Sequence, residues 1–457
     1  MMPLVVAAAL SVAGACPDGL CNARALEPYF AKLARIAPGG NGSGERRVHI
    51  LQIGDSHTAG DGITGAWRDL LQARYGSAGR GVLPPGRPFD GYITHGATVT
   101  ASPGWKVASD FGAGWSSPSV PLGLSAFSLT SQVDGARMGL TADPGEQFDR
   151  LTVCAIARAG AGSLTMRAGS DSVDMALGSP TERPECRTLR VSEPTATAEL
   201  VASGNPVTVT SWATFREASG VTLSNLGVVG SQLVHFSRTD DAVLAEELRT
   251  YQPDLIVLAF GTNEGFAPRF SPFEFEVTLR TQIGRLRRLA GNVPILLLGA
   301  PDALSRRTEM RTNAVGPPAT SCGQPGNAPA STAAPAQTGV IGGIIDRLRM
   351  SLGMPATDPA AAPVPPQPPA PQSSSTRAPL FPPAGLAAVR QVQLRVAQSL
   401  GVAYWDWEGR MGGRCAADAW VHASPPLMRG DYVHYTSAGA REIAQRLEAD
   451  LEKAANR

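Results

Sequence analysis

The 457-residue sequence lacks an excess of either charge, with 40 Lys and Arg against 39 Asp and Glu. A net charge of +1 leaves no basic field to gather nucleic acid or anionic lipid, so neither is an expected partner. Charge is scarce altogether, at 17% of residues, which leaves a surface rich in Ser, Thr, Gln and Gly. No stretch approaches 18 apolar residues, so no transmembrane span is expected. Zinc spacing is missing too: no C-x-x-C pair is followed by His or Cys partners, and His49, His57, His95, His235 and His422 have no metal-ligand spacing. No internal repeat stands out.

What the chain does have is apolar residues, glycine and proline. A hydrophobic fraction of 43% is ample for a core and excludes wholesale disorder. At roughly 150 residues per domain, the length suggests two or three domains. The 50 glycines and 38 prolines are roughly 19% of the chain, against a usual background of about 12%. Residues 1–15, MMPLVVAAALSVAGA, form an apolar run ending in small residues, which resembles a secretory signal peptide with an Ala13-Gly14-Ala15 cleavage step. The alternative is a buried N-terminal helix. A signal peptide places the protein in the periplasm or outside the cell. Cys16, directly after this run, loosely resembles a lipoprotein attachment site and with it an envelope anchor. Six cysteines are an even number, as expected of an exported, oxidised chain. Sequence leaves all 15 pairings open; Cys154–Cys186 and Cys322–Cys415 are favoured because each pair falls within one expected module. Cys16–Cys21 would close a small loop, whereas lipidation of Cys16 would leave Cys21 unpaired.

Two patterns alternate along the chain. Residues 25–35 have helical apolar spacing, 47–54 (RVHILQIG) read as a buried strand, and 61–75 are helical again. From about 84 to 220 short alternating runs such as DRLTVCAIA and PVTVTSWATF are separated by turn residues, the pattern of an antiparallel sandwich or jelly roll. Strand and helix then alternate once more: a strand within 221–230, a helix at 239–251, the apolar run PDLIVLAF at 253–260, a helix at 272–290 and a strand at 293–299. Tracts at 317–337 and 355–383 are dominated by Pro, Ala, Ser, Thr and Gln, which cannot build a core, so 317–383 reads as an extended insertion with a short helix at 340–352 between the tracts. A helix at 385–400, a strand at 402–407 and a helix at 437–455 complete the chain. The expectation is an α/β domain with a doubly wound sheet, split into 22–83 and 221–457 by an all-β insert at 84–220.

Three short segments fall where the strands of such a sheet end, the place where open α/β sheets keep their sites. In Gly54-Asp55-Ser56-His57, the glycine allows a tight turn that presents the Ser56 hydroxyl, although a serine in this position alone reads as a helix cap. In Gly261-Thr262-Asn263-Glu264, the Asn263 amide can donate to a developing oxyanion, or simply favour a turn. In Asp431-Tyr432-Val433-His434, the carboxylate can accept the His434 Nδ1–H and leave Nε2 free as a base. The ordered set of all three carries more weight than any one of them.

The blocks GDSH, GTNE and DYVH resemble those of the GDSL/SGNH hydrolases. The family's glycine block is matched by residues 225–230. The phrase LQIGDSHTAGD at 51–61, together with the β insert, is similar to the peptidoglycan O-acetylesterase branch. That resemblance implies a flavodoxin-like SGNH fold with a parallel sheet flanked by helices, and an insert similar to a jelly-roll carbohydrate-binding module. It implies Ser56 as nucleophile, His434 as base, Asp431 orienting it, and an oxyanion hole from the N–H groups of Ser56 and Gly230 with the Asn263 amide. Gly227 rivals Gly230 in that role. Glu264, where the family more usually has Asp, reads as shaping the loop. His57 replaces the family's Leu and is close enough to Ser56 to influence substrate. The implied activity is serine esterase chemistry on O-acetylated peptidoglycan, without metal or organic cofactor. The rivals are a deacetylase or O-acetyltransferase acting on another exopolysaccharide, and a non-catalytic glycan-binding protein. Trp115, Trp212, Trp405 and Trp407 are candidate sugar platforms, with core packing favoured for Trp405 and Trp407.

Overall fold

The computed structural model describes residues 16–39, 47–112, 120–204, 206–306, 321–322 and 379–457. The expected leader, Trp115, the helix at 340–352 and nearly all of the Pro-rich insertion lie outside them. The described residues from Cys16 to Cys322 and from Leu380 to Arg457 belong to one compact unit.

The strand Arg47–Gly54 is the hub of a parallel sheet. It pairs on one side with Gly220–Gly227 and on the other with Leu255–Ala259. The sheet continues through Ile295–Leu298 and Ala403–Trp405, and the short strand Leu20–Cys21 lies antiparallel at its edge. Alternate residues serve opposite faces, and both sets are apolar. Leu255, Val257, Leu296, Ala403 and Trp405 join one core with residues of helices Glu27–Ile36, Gly62–Tyr75 and Ser437–Ala455. Ile256, Leu258, Leu297 and Tyr404 join another with helices Asp241–Tyr251, Pro272–Ala290 and Leu386–Leu400. Burial on both faces is why these strands read as unbroken apolar runs.

Two antiparallel sheets occupy the middle of the chain. One is ordered Asp171–Ala176, Ser163–Ala168, Thr197–Ser203, Arg137–Ala142, Ala97–Ala101. The other runs Arg183–Thr195, Phe148–Ala157, Thr208–Phe215, Phe127–Ser131, Trp105–Ser109. Inward residues such as Met138, Leu140, Val153, Leu164 and Trp212 make one core. Trp212 is 0% exposed, which removes it as a sugar platform. Gly81–Leu83 pairs with Thr208–Phe215, so these three residues join an antiparallel sheet rather than the α/β part expected over 22–83.

Further corrections are local. Trp407 does not end the strand expected over 402–407: Asp406 caps a new turn, its carboxylate accepting from Gly409 N, and Trp407 opens the short helix Trp407–Met411. Trp405 and Trp407 are both buried. The disulfides are Cys16–Cys21, Cys154–Cys186 and Cys322–Cys415. The Cys16 sulfur is thereby committed to Cys21 and has no thiol to give a lipid, so the structure speaks against an anchor there. Among the described residues, no helix is long and apolar enough to cross a membrane.

Asp61, at the end of the LQIGDSHTAGD phrase, ties these parts together. It is 0% exposed and accepts from Arg68 Nη2 at 2.9 Å, Arg80 Nη2 at 3.0 Å, Thr64 Oγ1 at 2.6 Å and His95 N at 2.8 Å. Arg80 also donates to Asn225 Oδ1 at 2.6 Å, and Asn225 Nδ2 to Thr58 O at 3.0 Å, so the network reaches both the sheet and the Ser56 turn. Burial alone would raise the Asp61 pKa, but Arg68 and Arg80 outweigh it and hold the carboxyl well below its usual range. A depressed pKa means that the stabilisation is full above the ordinary carboxylate range and fades as pH falls. Asp61→Ala strands two buried cations, and we expect a loss of about 3–5 kcal/mol in urea unfolding at pH 7; a change within experimental error contradicts this account.

Candidate active site

The Ser56 turn begins where Arg47–Gly54 ends. A Cβ on Gly54 would stand 2.3 Å from Thr58 Oγ1 and 2.6 Å from Ala259 O, so only glycine lets the turn close against the neighbouring strand. Asp55 then caps a one-turn helix, Ser56–Ala59, its Oδ1 accepting from His57 N at 3.0 Å. This small helix separates Ser56 from Gly62–Tyr75; the sequence pattern suggests a single turn and helix because four residues are too few for periodicity to register.

Ser56 Oγ lies 3.0 Å from His434 Nε2, and His434 Nδ1 lies 2.9 Å from Asp431 Oδ2. The other Asp431 oxygen accepts from Val433 N at 3.0 Å and His434 N at 2.9 Å. Partial burial raises the Asp431 pKa, but these bonds from His434 and the backbone outweigh it and bring the carboxyl down to about 2. It is therefore a carboxylate at any pH where the imidazole is neutral, and it fixes the tautomer that turns the Nε2 lone pair towards the serine. Tyr432 makes the loop's bend with φ +59°, its side chain buried and its carbonyl accepting from Leu304 N at 3.1 Å.

Asn263 lies on the short helix Thr262–Phe266. Its Nδ2 donates to Ser231 O at 2.9 Å and reaches Asp55 Oδ2 at 3.5 Å, which places it between the chain neighbours of Gly230 and Ser56. Gly230 has φ +79° in the loop beyond Gly220–Gly227. Gly227, its rival, ends that strand opposite Gly54, where a Cβ would stand 2.3 Å from Ala59 N and 2.6 Å from Asp55 O. Glu264 is buried, accepts from Leu233 N at 2.7 Å and so braces the Gly230 loop; burial pushes its carboxyl up to about 7.

Sequence reasoning misses part of this neighbourhood. Phe111, from the segment after Trp105–Ser109, stacks on His235 with centroids 4.4 Å apart, and its Cε1 would lie 2.9 Å from a Cβ on Gly230. Trp407 and Tyr435 stack near His57. No local motif flags Phe111, whose partners come from a separate part of the chain, and Tyr435, next to His434, lies just outside the DYVH block. Among the described residues, no group of three or more His, Cys, Asp or Glu is placed to hold a metal ion.

Residues 197–442 match the GDSL-like lipase/acylhydrolase family, and the chain belongs to that family. Ser56 precedes the matched span, which contains Gly230, Asn263, Asp431 and His434. Among solved structures the chain is similar to a peptidoglycan O-acetylesterase, with 22% identity, a TM-score of 0.68, and 96% of this chain and 99% of that one covered. It is also similar to a salicylyl-acyltransferase from a tetracycline biosynthetic pathway (11% identity, TM-score 0.28, 79% and 98% covered). A third likeness is to a family two carbohydrate esterase from Cellvibrio japonicus (15% identity, TM-score 0.17, 45% and 79% covered). None of the curated proteins matches. The fold is that of an SGNH hydrolase and the protein is a serine ester hydrolase.

The packing of Gly227 generates a prediction. Gly227→Ala forces backbone atoms of the Ser56 turn apart, and thermal unfolding should report a loss of about 1–3 kcal/mol. An unchanged midpoint contradicts the close approach.

Proposed function

We propose that the enzyme removes O-acetyl groups from an extracytoplasmic glycan, with peptidoglycan as the substrate, using Ser56, His434 and Asp431. The observation that carries this reading is the continuous relay from Asp431 through His434 to Ser56, at 2.9 and 3.0 Å. His434 Nε2 takes the Ser56 proton as Oγ attacks the acetyl carbonyl. The N–H groups of Ser56 and Gly230 and the Asn263 amide hold the oxyanion until the sugar oxygen leaves with the proton from His434. Water, deprotonated by His434, then attacks the acetyl-serine and releases acetate. Asp431 stays ionised throughout and stabilises the imidazolium that forms in each half-reaction.

The likeness to a peptidoglycan O-acetylesterase over nearly the whole of both chains motivates the choice of glycan. Three disulfides favour an oxidising compartment, in keeping with an exported chain and a leader at 1–15. We read the antiparallel sheets as an inserted module between the Ser56 turn and the Gly230 loop, with Phe111 reaching from it to Gly230.

Two experiments test the reading. Acetate release from O-acetylated peptidoglycan should be rapid for the wild type and absent both for Ser56→Ala and for base-treated substrate. Equal rates with Ser56→Ala overturn the assignment of the nucleophile, and new sugar esters in place of acetate identify a transferase. Asn263→Ala, by removing one oxyanion donor, should lower kcat by about 10²–10³ with little change in KM.

A further inference from the structure

His57 is the member of the GDSH block that this chemistry leaves unused, yet it is 7% exposed and lies beside the base. Its ring centroid is 5.5 Å from that of His434, 5.6 Å from Trp407 and 5.7 Å from Tyr435. His57 Nε2 is 3.0 Å from the carbonyl oxygen of Val433, the residue preceding His434, and Nδ1 is 3.3 Å from Asp55 Oδ1. A carbonyl oxygen only accepts, so Nε2 carries a hydrogen. Asp55 Oδ1 is an acceptor here as well, so Nδ1 carries one too, and a ring protonated on both nitrogens is an imidazolium. A neutral ring with its proton on Nε2 would instead turn the Nδ1 lone pair towards Asp55 Oδ1, the atom that already accepts from His57 N at 3.0 Å.

We propose that His57 is a positioning residue, a buried imidazolium that ties the Ser56 turn to the Val433 carbonyl and thereby holds His434 against Ser56. The inference rests on the reading of Ser56 and His434 as nucleophile and base. The charged and titratable groups around His57 agree with it: Asp55 from its own turn, Asp431, His434 and Tyr435 from the base loop, while Trp407 brings no charge. Burial lowers the His57 pKa, but Asp55, the Val433 carbonyl and Asp431 outweigh it and leave it above the ordinary 6.5. For a group with a raised pKa, the clamp is complete below the ordinary value and is lost as pH rises through the raised one. The family's usual leucine at this position could pack there but could make neither bond.

Two measurements test the clamp. Histidine-selective ¹⁵N NMR reads His57 directly in the wild type and in Ser56→Ala, with the resonance assigned by its loss in His57→Gln or His57→Asn. In both proteins both ring nitrogens should be protonated below a pKa that lies above the ordinary 6.5; a His57 pKa at or below 6.5 overturns the proposal. Because this readout needs no turnover, it stands apart from the esterase assignment, which the Ser56→Ala assay decides. For the positioning role, hydrolysis of an acetyl ester by the wild type should lose kcat at alkaline pH with the His57 pKa seen by NMR. His57→Gln should have roughly 10- to 100-fold lower kcat, an unchanged KM and no such alkaline limb. A wild type without the limb, or a variant with the wild-type kcat and profile, overturns the role.

Discussion

The site depends on how closely bare backbone can approach backbone around the turn that follows Arg47–Gly54. Gly54 admits the Ala259 carbonyl and the Thr58 side chain on one side, and Gly227 admits Ala59 and Asp55 on the other. With those two contacts made, the parallel order of the sheet brings the ends of three adjacent strands to one place. Asp55, 1% exposed, sits at their meeting point. Its carboxyl group faces His57 N, the His57 ring and the Asn263 amide, so one buried side chain touches the Ser56 turn, the segment after Leu255–Ala259 and, through His57, the His434 loop. The geometry between Ser56 and His434 follows from packing of the sheet more than from the part-buried bond the two make with each other, since a single hydrogen bond contributes only about 1 kcal/mol.

Much of the α/β framework is legible in the sequence because double-sided burial writes itself as apolar runs. RVHILQIG and PDLIVLAF need no partner to be recognised, and the helices at 272–290 and 437–455 coincide with Pro272–Ala290 and Ser437–Ala455. The misreadings both concern short elements. Gly81–Leu83 is only three residues long and its pairing is set by Thr208–Phe215, far away in the chain. Trp407 continues an apolar run, but the Asp406 carboxylate captures a backbone N–H and starts a helix. The short strand is decided by a distant partner that no local pattern reveals, and the short helix by an adjacent capping carboxylate that the apolar run conceals.

The site divides along the same line. Ser56, Asn263, Asp431 and His434 can be proposed from sequence because their blocks recur in order at expected strand ends, although each block taken alone is ambiguous. Phe111 cannot, because its significance lies in what it touches: His235 on one face and, at its edge, Gly230. His57 is visible as a residue next to Ser56, but its bond to Val433 joins positions 376 apart in the chain.

The scarcity of charge noted in the composition takes on a sharper meaning in this light. In a chain that spends so few ionisable residues, several are buried close to the Ser56 turn. Asp61 with Arg68 and Arg80 lies on its far side, and Asp55 with His57 lies within it. Burying a charge is costly unless it is paired and fully hydrogen-bonded, and such pairs are weak evidence for stability as such. What they do well is fix geometry, because a displaced partner leaves an uncompensated ion in a dry interior. Two neighbouring histidines in this site illustrate the contrast. His434 is partly open to solvent and has the carboxylate on one nitrogen and the serine on the other, which suits the proposed role of a base that gains and loses a proton at each turnover. His57 is closed in and has an acceptor on each nitrogen, which suits a group that keeps its proton.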